Sequence, residues 1–391
     1  MIITEKENCT GCSACKSVCP VNAIKMLEDI DGFLVPIVDD DICIKCGKCI
    51  RVCPANKDRK SKKTSSFPIT YAAINKEREC LKVSSSGGIF PVIANKILNN
   101  NGVVFGCAWS EQLKAEHIFI EGHNDLTKLQ GSKYVQSYIG NSYIKAKEFL
   151  DSGREVLFTG TPCQIAGLNS FLNKGYDNLI TIDLICHGVP SQAFFDGYLN
   201  ELSKSSKLKV VDFKFRDKKY GTRYIGKAEF ENSKTKKFNP SSSYYYNYFL
   251  KGHIFRESCY TCPYACPQRE GDFTLGDYWG IEKYHPKFES REGSSVILVN
   301  TQKAQFVIET IKEKLELIPS DFKKASANNG PLRKPTRKNS KRDEIFKLWR
   351  SGGSELVAEK FHISAKEKFI VLIKNVIPYC VKKNIKRMVS K

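Results

Sequence analysis

Cys9-Thr10-Gly11-Cys12-Ser13-Ala14-Cys15-Lys16-Ser17-Val18-Cys19-Pro20 and Cys43-Ile44-Lys45-Cys46-Gly47-Lys48-Cys49-Ile50-Arg51-Val52-Cys53-Pro54 are two copies of one spacing, C-x2-C-x2-C-x3-C-P. Together they hold half of the sixteen cysteines, so this pattern governs the reading of the chain. Gaps of two residues let three thiolates face one cubane from a single tight loop, and the fourth Cys of each run crosses to the other cluster. The spacing therefore assigns Cys9, Cys12, Cys15 and Cys53 to one [4Fe–4S] cluster and Cys43, Cys46, Cys49 and Cys19 to a second. Gly11 and Gly47 allow the backbone to approach the inorganic core, and the proline after each fourth Cys presets the next turn. Zinc also uses C-x2-C pairs, but two complete interleaved copies argue against it. A disulfide scaffold is disfavoured because the chain is far larger than the class that depends on disulfides.

The first sixty or so residues thus predict an electron-transfer module of the bacterial two-cluster ferredoxin kind. The chain has 391 residues, which suggests two or three domains, and 41% hydrophobic residues suffice for a large core. The net charge of +20 predicts an anionic partner: an acidic redox protein, an anionic membrane surface or a nucleic acid. No zinc-finger, helix-turn-helix or RNA-binding signature is present, which argues against nucleic acid. An external ferredoxin or other redox protein is the expected partner. Met1-Ile2-Ile3-Thr4-Glu5-Lys6 does not read as a secretory signal, and no apolar run has the length of a bilayer span. Cluster-type cysteines fit a reducing cytoplasm.

Taken in order, Ala23 to Val38 reads as a hairpin turning near Asp31-Gly32, its apolar residues covering the clusters, and 57–66 as a basic linker. From Tyr71 onward strands alternate with helices: strands at 71–75, 103–108, 155–159 and 181–186, helices at 89–98, 142–151, 165–172 and 192–202. That alternation predicts an α/β domain whose strand ends carry the unusual residues. Ser84-Ser85-Ser86-Gly87-Gly88, at a helix start, either donates backbone N–H groups to a phosphate or is an ordinary cap. Gly131-Ser132-Lys133-Tyr134 offers a cation and a ring in a turn, for phosphate and ring contacts or as a plain surface loop. The run Ser241 to Phe249 packs a substrate or flavin, or seals a domain contact.

Cys163, in Gly160-Thr161-Pro162-Cys163-Gln164, and Cys186, in Cys186-His187-Gly188, stand where strands give way to loops. Cys259-Tyr260-Thr261-Cys262 is a ligand pair that needs two more thiolates. A third [4Fe–4S] cluster on Cys163, Cys186, Cys259 and Cys262 is the expectation, with Cys266 a rival ligand and a redox dithiol at Cys259/Cys262 the alternative. His187 is the candidate catalytic residue, donating a proton during substrate reduction, or else it satisfies a strand end. Asp272 and Asp277 read as turn residues that hold the cysteine loop. Strand 295–300 and helix 303–315 follow, then a basic extended stretch at 331–342. The tail from Phe361 has helical periodicity over 369–377 and is then basic. It suits either an anionic membrane surface or packing on the protein with its basic face solvated.

The ordered combination of two-cluster run, Ser85-Ser86-Gly87-Gly88, Gly131-Ser132-Lys133-Tyr134, Gly160-Thr161-Pro162-Cys163-Gln164, Cys186-His187-Gly188, Cys259-Tyr260-Thr261-Cys262 and Gly276-Asp277-Tyr278-Trp279-Gly280 resembles the coenzyme F420 hydrogenase/dehydrogenase beta-subunit family over about residues 1–300. The resemblance implies an iron–sulfur flavoprotein, with FAD held by the Ser85-Ser86-Gly87-Gly88 loop, the Ser132-Lys133-Tyr134 turn and Thr161. It places the dispersed cysteines around a cluster nearby. The implied fold class is α+β. A ferredoxin-like domain (1–62) is fused to a larger mixed α/β flavin-binding domain (68–325) and a basic helical C-terminal extension (326–391). The implied function is electron transfer from reduced ferredoxin, through clusters and FAD, to a small organic two-electron acceptor. Relatives occur among bacterial polysaccharide-synthesis proteins. An F420-linked beta subunit and a non-catalytic electron-transfer subunit are the alternatives, and a homo-oligomer is compatible with the sequence.

Overall fold

A computed structural model describes residues 2–56, 68–221, 224–288, 290–365 and 367–368. The linker expected at 57–66 and the periodic, basic tail at 369–391 lie outside the described residues.

The N-terminal module is a pseudo-repeat. In each cysteine run a short helix, Ala14–Ser17 or Lys48–Val52, begins after a residue in the left-handed region, Ser13 (φ 63) or Gly47 (φ 69). Two positions earlier, Gly11 (φ 65) and Lys45 (φ 53) repeat the same conformation. The tight loop thus demands positive φ twice per run, and each copy meets one of the two demands with a residue other than glycine. The expected hairpin is present: Ile24–Glu28 pairs antiparallel with Leu34–Val38 around Asp29–Phe33.

The rest is built on a mixed eight-stranded sheet, ordered Leu315–Ser320, Ile69–Asn75, Ser295–Val299, Phe273–Asp277, Leu179–Leu184, Val156–Gly160, Val103–Trp109 and Ala115–Ile120. Its four central strands, from Phe273–Asp277 to Val103–Trp109, are mutually parallel, and the flanking ones are antiparallel. Covered on both faces, the central strands read as near-continuous apolar runs. Alternate residues of Val103–Trp109 serve different cores. Val104 and Ala108 face a layer with helices Ile89–Asn99 and Gln302–Ile311, while Val103 and Phe105 face helices Ser142–Asp151 and Pro162–Leu172. The second layer also contains Cys12, Cys15, Cys49, Val52 and Cys53, so the N-terminal module packs into the same core as the sheet.

A separate three-stranded antiparallel sheet, Val210–Lys214, Gly226–Phe230 and Thr235–Phe238, joins helices Gln192–Ser206, Tyr244–Leu250 and Ser340–Glu359 in an aromatic core. There the run expected to meet a ligand or a domain contact is mostly sealed: Tyr244, Tyr245, Tyr246 and Phe249 are buried. Tyr245 and Tyr246 donate their hydroxyls to the Tyr134 and Phe215 carbonyls. The stretch at 331–342, read as extended, is tied down instead. Leu332 is fully buried, Arg342 is buried, and Ser340 starts a helix capped by Asn339. Among the described residues no helix is long and apolar enough to cross a membrane.

Candidate functional site

Parallel strands aligned in one direction bring their C-terminal ends to one edge, where α/β sheets place their sites. At the end of Val156–Gly160, Thr161 caps helix Pro162–Leu172 in a capping box with Gln164, and Pro162 occupies the first turn. This starts the helix three residues earlier than periodicity suggests and sets Cys163 in its first turn. Beyond Leu179–Leu184, Cys186 and His187 lie in a loop where Gly188 (φ +136) lets the Phe255 ring approach: a Cβ there would lie 2.2 Å from a ring carbon.

That contact brings in the cysteine loop after Phe255. Cys186 lies within electrostatic reach of Cys259, Cys163 and Cys262, and Cys163 within reach of Cys262 and Cys259, so four thiols distant in sequence come into one neighbourhood, although among the described residues no three are close enough to hold a single metal ion. Burial pushes Cys163 up to about 12 and Cys259 up to about 11. These groups stay protonated as bare thiols and become thiolates on metal binding. The thiol of the rival Cys266 is hydrogen-bonded to the carbonyls of Gln268 (3.2 Å) and Pro263 (3.4 Å). The loop is pinned by Arg269. Its guanidinium donates to the Asp183 carboxylate (2.9 Å) and the Tyr264 carbonyl (2.8 Å), and Asp183 also accepts from the N–H groups of Glu270 and Gly271. Asp272 is a turn anchor, accepting from Thr181 and Thr301. Asp277 instead pairs with Arg216.

Cys9, Cys12, Cys15 and Cys53 form a second group. Cys15 is within electrostatic reach of the other three, and Cys12 also senses Cys163. A Cβ on Gly167 would meet Cys12 at 3.0 Å, so this glycine admits Cys12 against the helix that carries Cys163. The Cys9 carbonyl accepts from Arg256 (3.2 Å) and Ser258 (3.0 Å), residues just before Cys259. Cys19, Cys43, Cys46 and Cys49 line one small cavity, with Cys46 exposed.

On the other side of Cys186 a cavity of about 690 Å³ opens, within the range of small-molecule sites. Ser85, Ser86, Gly88, Ser132, Lys133, Tyr134, Thr161, Cys186 and His187 line it, so segments far apart in sequence converge there. Gly87 does not line it. A Cβ at Gly87 would meet the Ala73 carbonyl at 2.4 Å, so the residue serves the packing of its loop against the sheet.

Residues 153–324 match the family model for the C terminus of the coenzyme F420 hydrogenase/dehydrogenase beta subunit. Residues 8–57 and 35–84 each match a 4Fe-4S dicluster domain. Residues 153–324 are thus similar to the C-terminal part of that beta-subunit family, preceded by a 4Fe-4S module. The chain is an iron–sulfur electron-transfer protein with its [4Fe–4S] module at the N-terminus. No curated protein sequence matches it. Among solved structures it is similar to a chain of "Xenon derivatization of the F420-reducing [NiFe] hydrogenase complex from Methanosarcina barkeri". The identity is 15%, over 75% of this chain and 90% of that one, with a TM-score of 0.45.

In this chain the expected ligand contacts are reshaped by packing. Lys133 donates its ammonium to the Gln130 (3.0 Å) and Lys128 (3.3 Å) carbonyls, and burial lowers its pKa. Tyr134 stacks on Phe249 at 4.3 Å, and Ser132 bonds Ser85 at 2.8 Å, joining the two predicted loops. His187 meets Phe255 edge-on at 5.2 Å, and burial lowers its pKa, which favours the neutral imidazole.

Sequence reading missed several lining residues. His117 is buried between the Thr159 carbonyl and the Ser137 hydroxyl, both at 2.9 Å. A carbonyl only accepts, so Nε2 carries the hydrogen and Nδ1 accepts from Ser137, whose oxygen accepts from Gln164 (3.0 Å). Burial pushes His117 down to about 4. Cys107 sits opposite His117 in the antiparallel ladder and within electrostatic reach of Lys133. Lys218 donates to the Ser86 carbonyl at 2.7 Å, holding the serine loop from outside the cavity wall. None of these lies in a recognisable motif. The one available signal was His117, a titratable residue beside Glu116 in a strand whose other residues are apolar.

Proposed function

We propose that this protein is a ferredoxin-dependent iron–sulfur flavoprotein that reduces a small organic acceptor. The observation that carries the reading is the continuity of three sites: Cys12 senses Cys163, Cys163 and Cys186 belong to one thiol group, and Cys186 lines the cavity. Two N-terminal ligand sets, Cys9/Cys12/Cys15/Cys53 and Cys43/Cys46/Cys49/Cys19, and a third of Cys163, Cys186, Cys259 and Cys262 would hold the clusters. The donor sets suit cubanes, being all thiol and spread around shared spaces. Ser85, Ser86, Gly87, Gly88, Ser132, Lys133, Tyr134 and Thr161 would hold FAD. Gly87 acts through loop placement, the hydroxyls and backbone N–H groups meet phosphate oxygens, and the Lys133 ammonium offsets their charge. When bound, clusters supply one-electron transfer and a flavin couples single electrons to two-electron chemistry.

The chain's own contributions are shielding, orientation and a proton. Tyr134 and Phe249 wall the cavity side that holds His187, and the buried Phe255 packs against the His187 ring. In our reading the His187 imidazole moves a proton to or from the acceptor. His187→Asn should leave iron and flavin contents unchanged and slow acceptor reduction by about 100-fold or more. The +20 charge favours an acidic ferredoxin as donor.

Anaerobic reconstitution with iron and flavin quantification tests the reading. About twelve iron atoms per chain and one flavin are expected; about eight iron atoms would remove the third cluster, and absence of flavin would remove the acceptor chemistry. Flavin reoxidation is then followed against F420 and intermediates of polysaccharide synthesis. The family's description as a beta subunit supports a second reading, an F420-linked or electron-transfer subunit serving a partner enzyme. Reduced protein that reacts with small molecules only when such a partner is added would favour that one.

A further inference from the structure

The segment 328–336 follows the end of the family match at residue 324 and precedes helix Ser340–Glu359, yet it forms one wall of the cavity. It is anchored at both ends. The buried Asn329 donates from Nδ2 to the carbonyls of Ala325 (2.9 Å) and Asp277 (3.2 Å), and Thr336 donates its hydroxyl to the His187 carbonyl at 2.8 Å. Leu332 is fully buried beneath it, and the Asn328 side chain lies over Gly280 so closely that a Cβ there would meet its amide nitrogen at 1.8 Å. Between the anchors Gly330, Pro331, Lys334 and Pro335 face the cavity.

The charges around the cavity are unbalanced. Among the described lining residues Asp277 is the one carboxylate, and Arg216 neutralises it. Lys133 and Lys334 are the two ammonium groups. Lys133 is engaged by backbone carbonyls, whereas Lys334 makes no ion pair or side-chain hydrogen bond among the described residues. A cleft of one sign between low-dielectric walls concentrates ligands of the opposite sign. The Thr336 bond places this wall directly against the loop of His187.

We infer that the segment 328–336 is the specificity wall of the acceptor site and that Lys334 pairs with an anionic group, carboxylate or phosphate, on the organic acceptor. The inference rests on the cavity being an acceptor site, as proposed above. It assigns selection of the acceptor to a part of the chain that the family match does not cover.

The full chain, reconstituted anaerobically, is assayed first for iron and flavin, which reports on the broader reading alone. Equilibrium dialysis then follows binding of labelled phosphate and labelled succinate, with labelled glycerol as the neutral probe. Saturable binding of at least one anion and none of glycerol is expected. Lys334→Gln should weaken the anion about tenfold, a loss of about 1.4 kcal/mol, with Lys334→Arg restoring most of it and flavin content equal in all three proteins. Undiminished anion binding by Lys334→Gln, or no anion binding by the parent chain, would overturn the inference. So would loss of flavin from that variant, since the ammonium would then belong to the cofactor's phosphates. Lys334-dependent anion binding by a chain that takes up no flavin would sustain the inference and sink the flavoprotein reading.

Discussion

Asp183 and Arg269 are almost wholly buried as a pair, their side chains 0% and 1% exposed. Their energetic weight lies in the loop they hold, since each also bonds backbone groups around the Cys259–Cys266 turn. Asp183→Asn leaves a buried guanidinium without its counter-charge and should destabilise the fold by about 3–5 kcal/mol, read from denaturant unfolding. His117 supplies a pH dependence. Its folded pKa of about 4 lies below the ordinary 6.5, so between these values the unfolded chain binds more protons than the folded one. Its contribution is therefore complete above pH 6.5 and is lost as pH falls toward 4, amounting to about 3 kcal/mol. His117→Gln should flatten the stability profile in that window. At this scale Cys266 shows where sequence reasoning stops. Its spacing from Cys262 matched a ligand, and the fold shows its thiol bonded to two carbonyls, which no local pattern announces.

The N-terminal loops illustrate the element scale. Ser13 stands at the position that Gly47 fills in the second run, in the left-handed region, with its hydroxyl buried and lacking a hydrogen-bond partner among the described residues. Both features cost stability in this loop. Ser13→Gly should therefore stabilise the chain by about 1 kcal/mol, measurable as a raised melting temperature with iron content unchanged. A melting temperature that falls would show that the hydroxyl supports the loop. The hairpin and most of the central strands were legible because apolar runs bounded by turns encode them locally. Strands Ala115–Ile120, Phe273–Asp277 and Leu315–Ser320 were not. Glu116 and His117 interrupt the first, Gly276 weakens the second, and Pro319 lies in the third, an edge strand that tolerates it.

At the scale of the molecule, helix Ser340–Glu359, kinked at Gly352 and Gly353, ties the C-terminal region to the N-terminal hairpin. Arg342 and Arg350 reach Asp31 at the hairpin turn, Arg342 also reaches Glu257 and the Phe255 carbonyl, and Phe346 packs on Phe33 at 5.9 Å. The C-terminal region is therefore part of the frame that positions the N-terminal module against the cysteine loop. Phe346 is fully buried, so Phe346→Ala should cost about 3–5 kcal/mol. If the helix frames the clusters, the variant should also slow electron arrival at the flavin proposed for the cavity in stopped-flow mixing more than it lowers iron content.

What this sequence determined alone is whatever short spacing can encode. The two interleaved cysteine runs force a cluster-binding loop wherever the chain goes, because three ligands within seven residues leave the backbone few paths. The apolar strands and capped helices likewise follow from local periodicity. Only the tertiary structure brought Cys163, Cys186, Cys259 and Cys262 within electrostatic reach of one another. It alone placed His117 and Lys334 on the cavity and made the basic C-terminal stretch a wall. Those outcomes depend on sheet order and on contacts between residues far apart in the chain, which local pattern does not constrain.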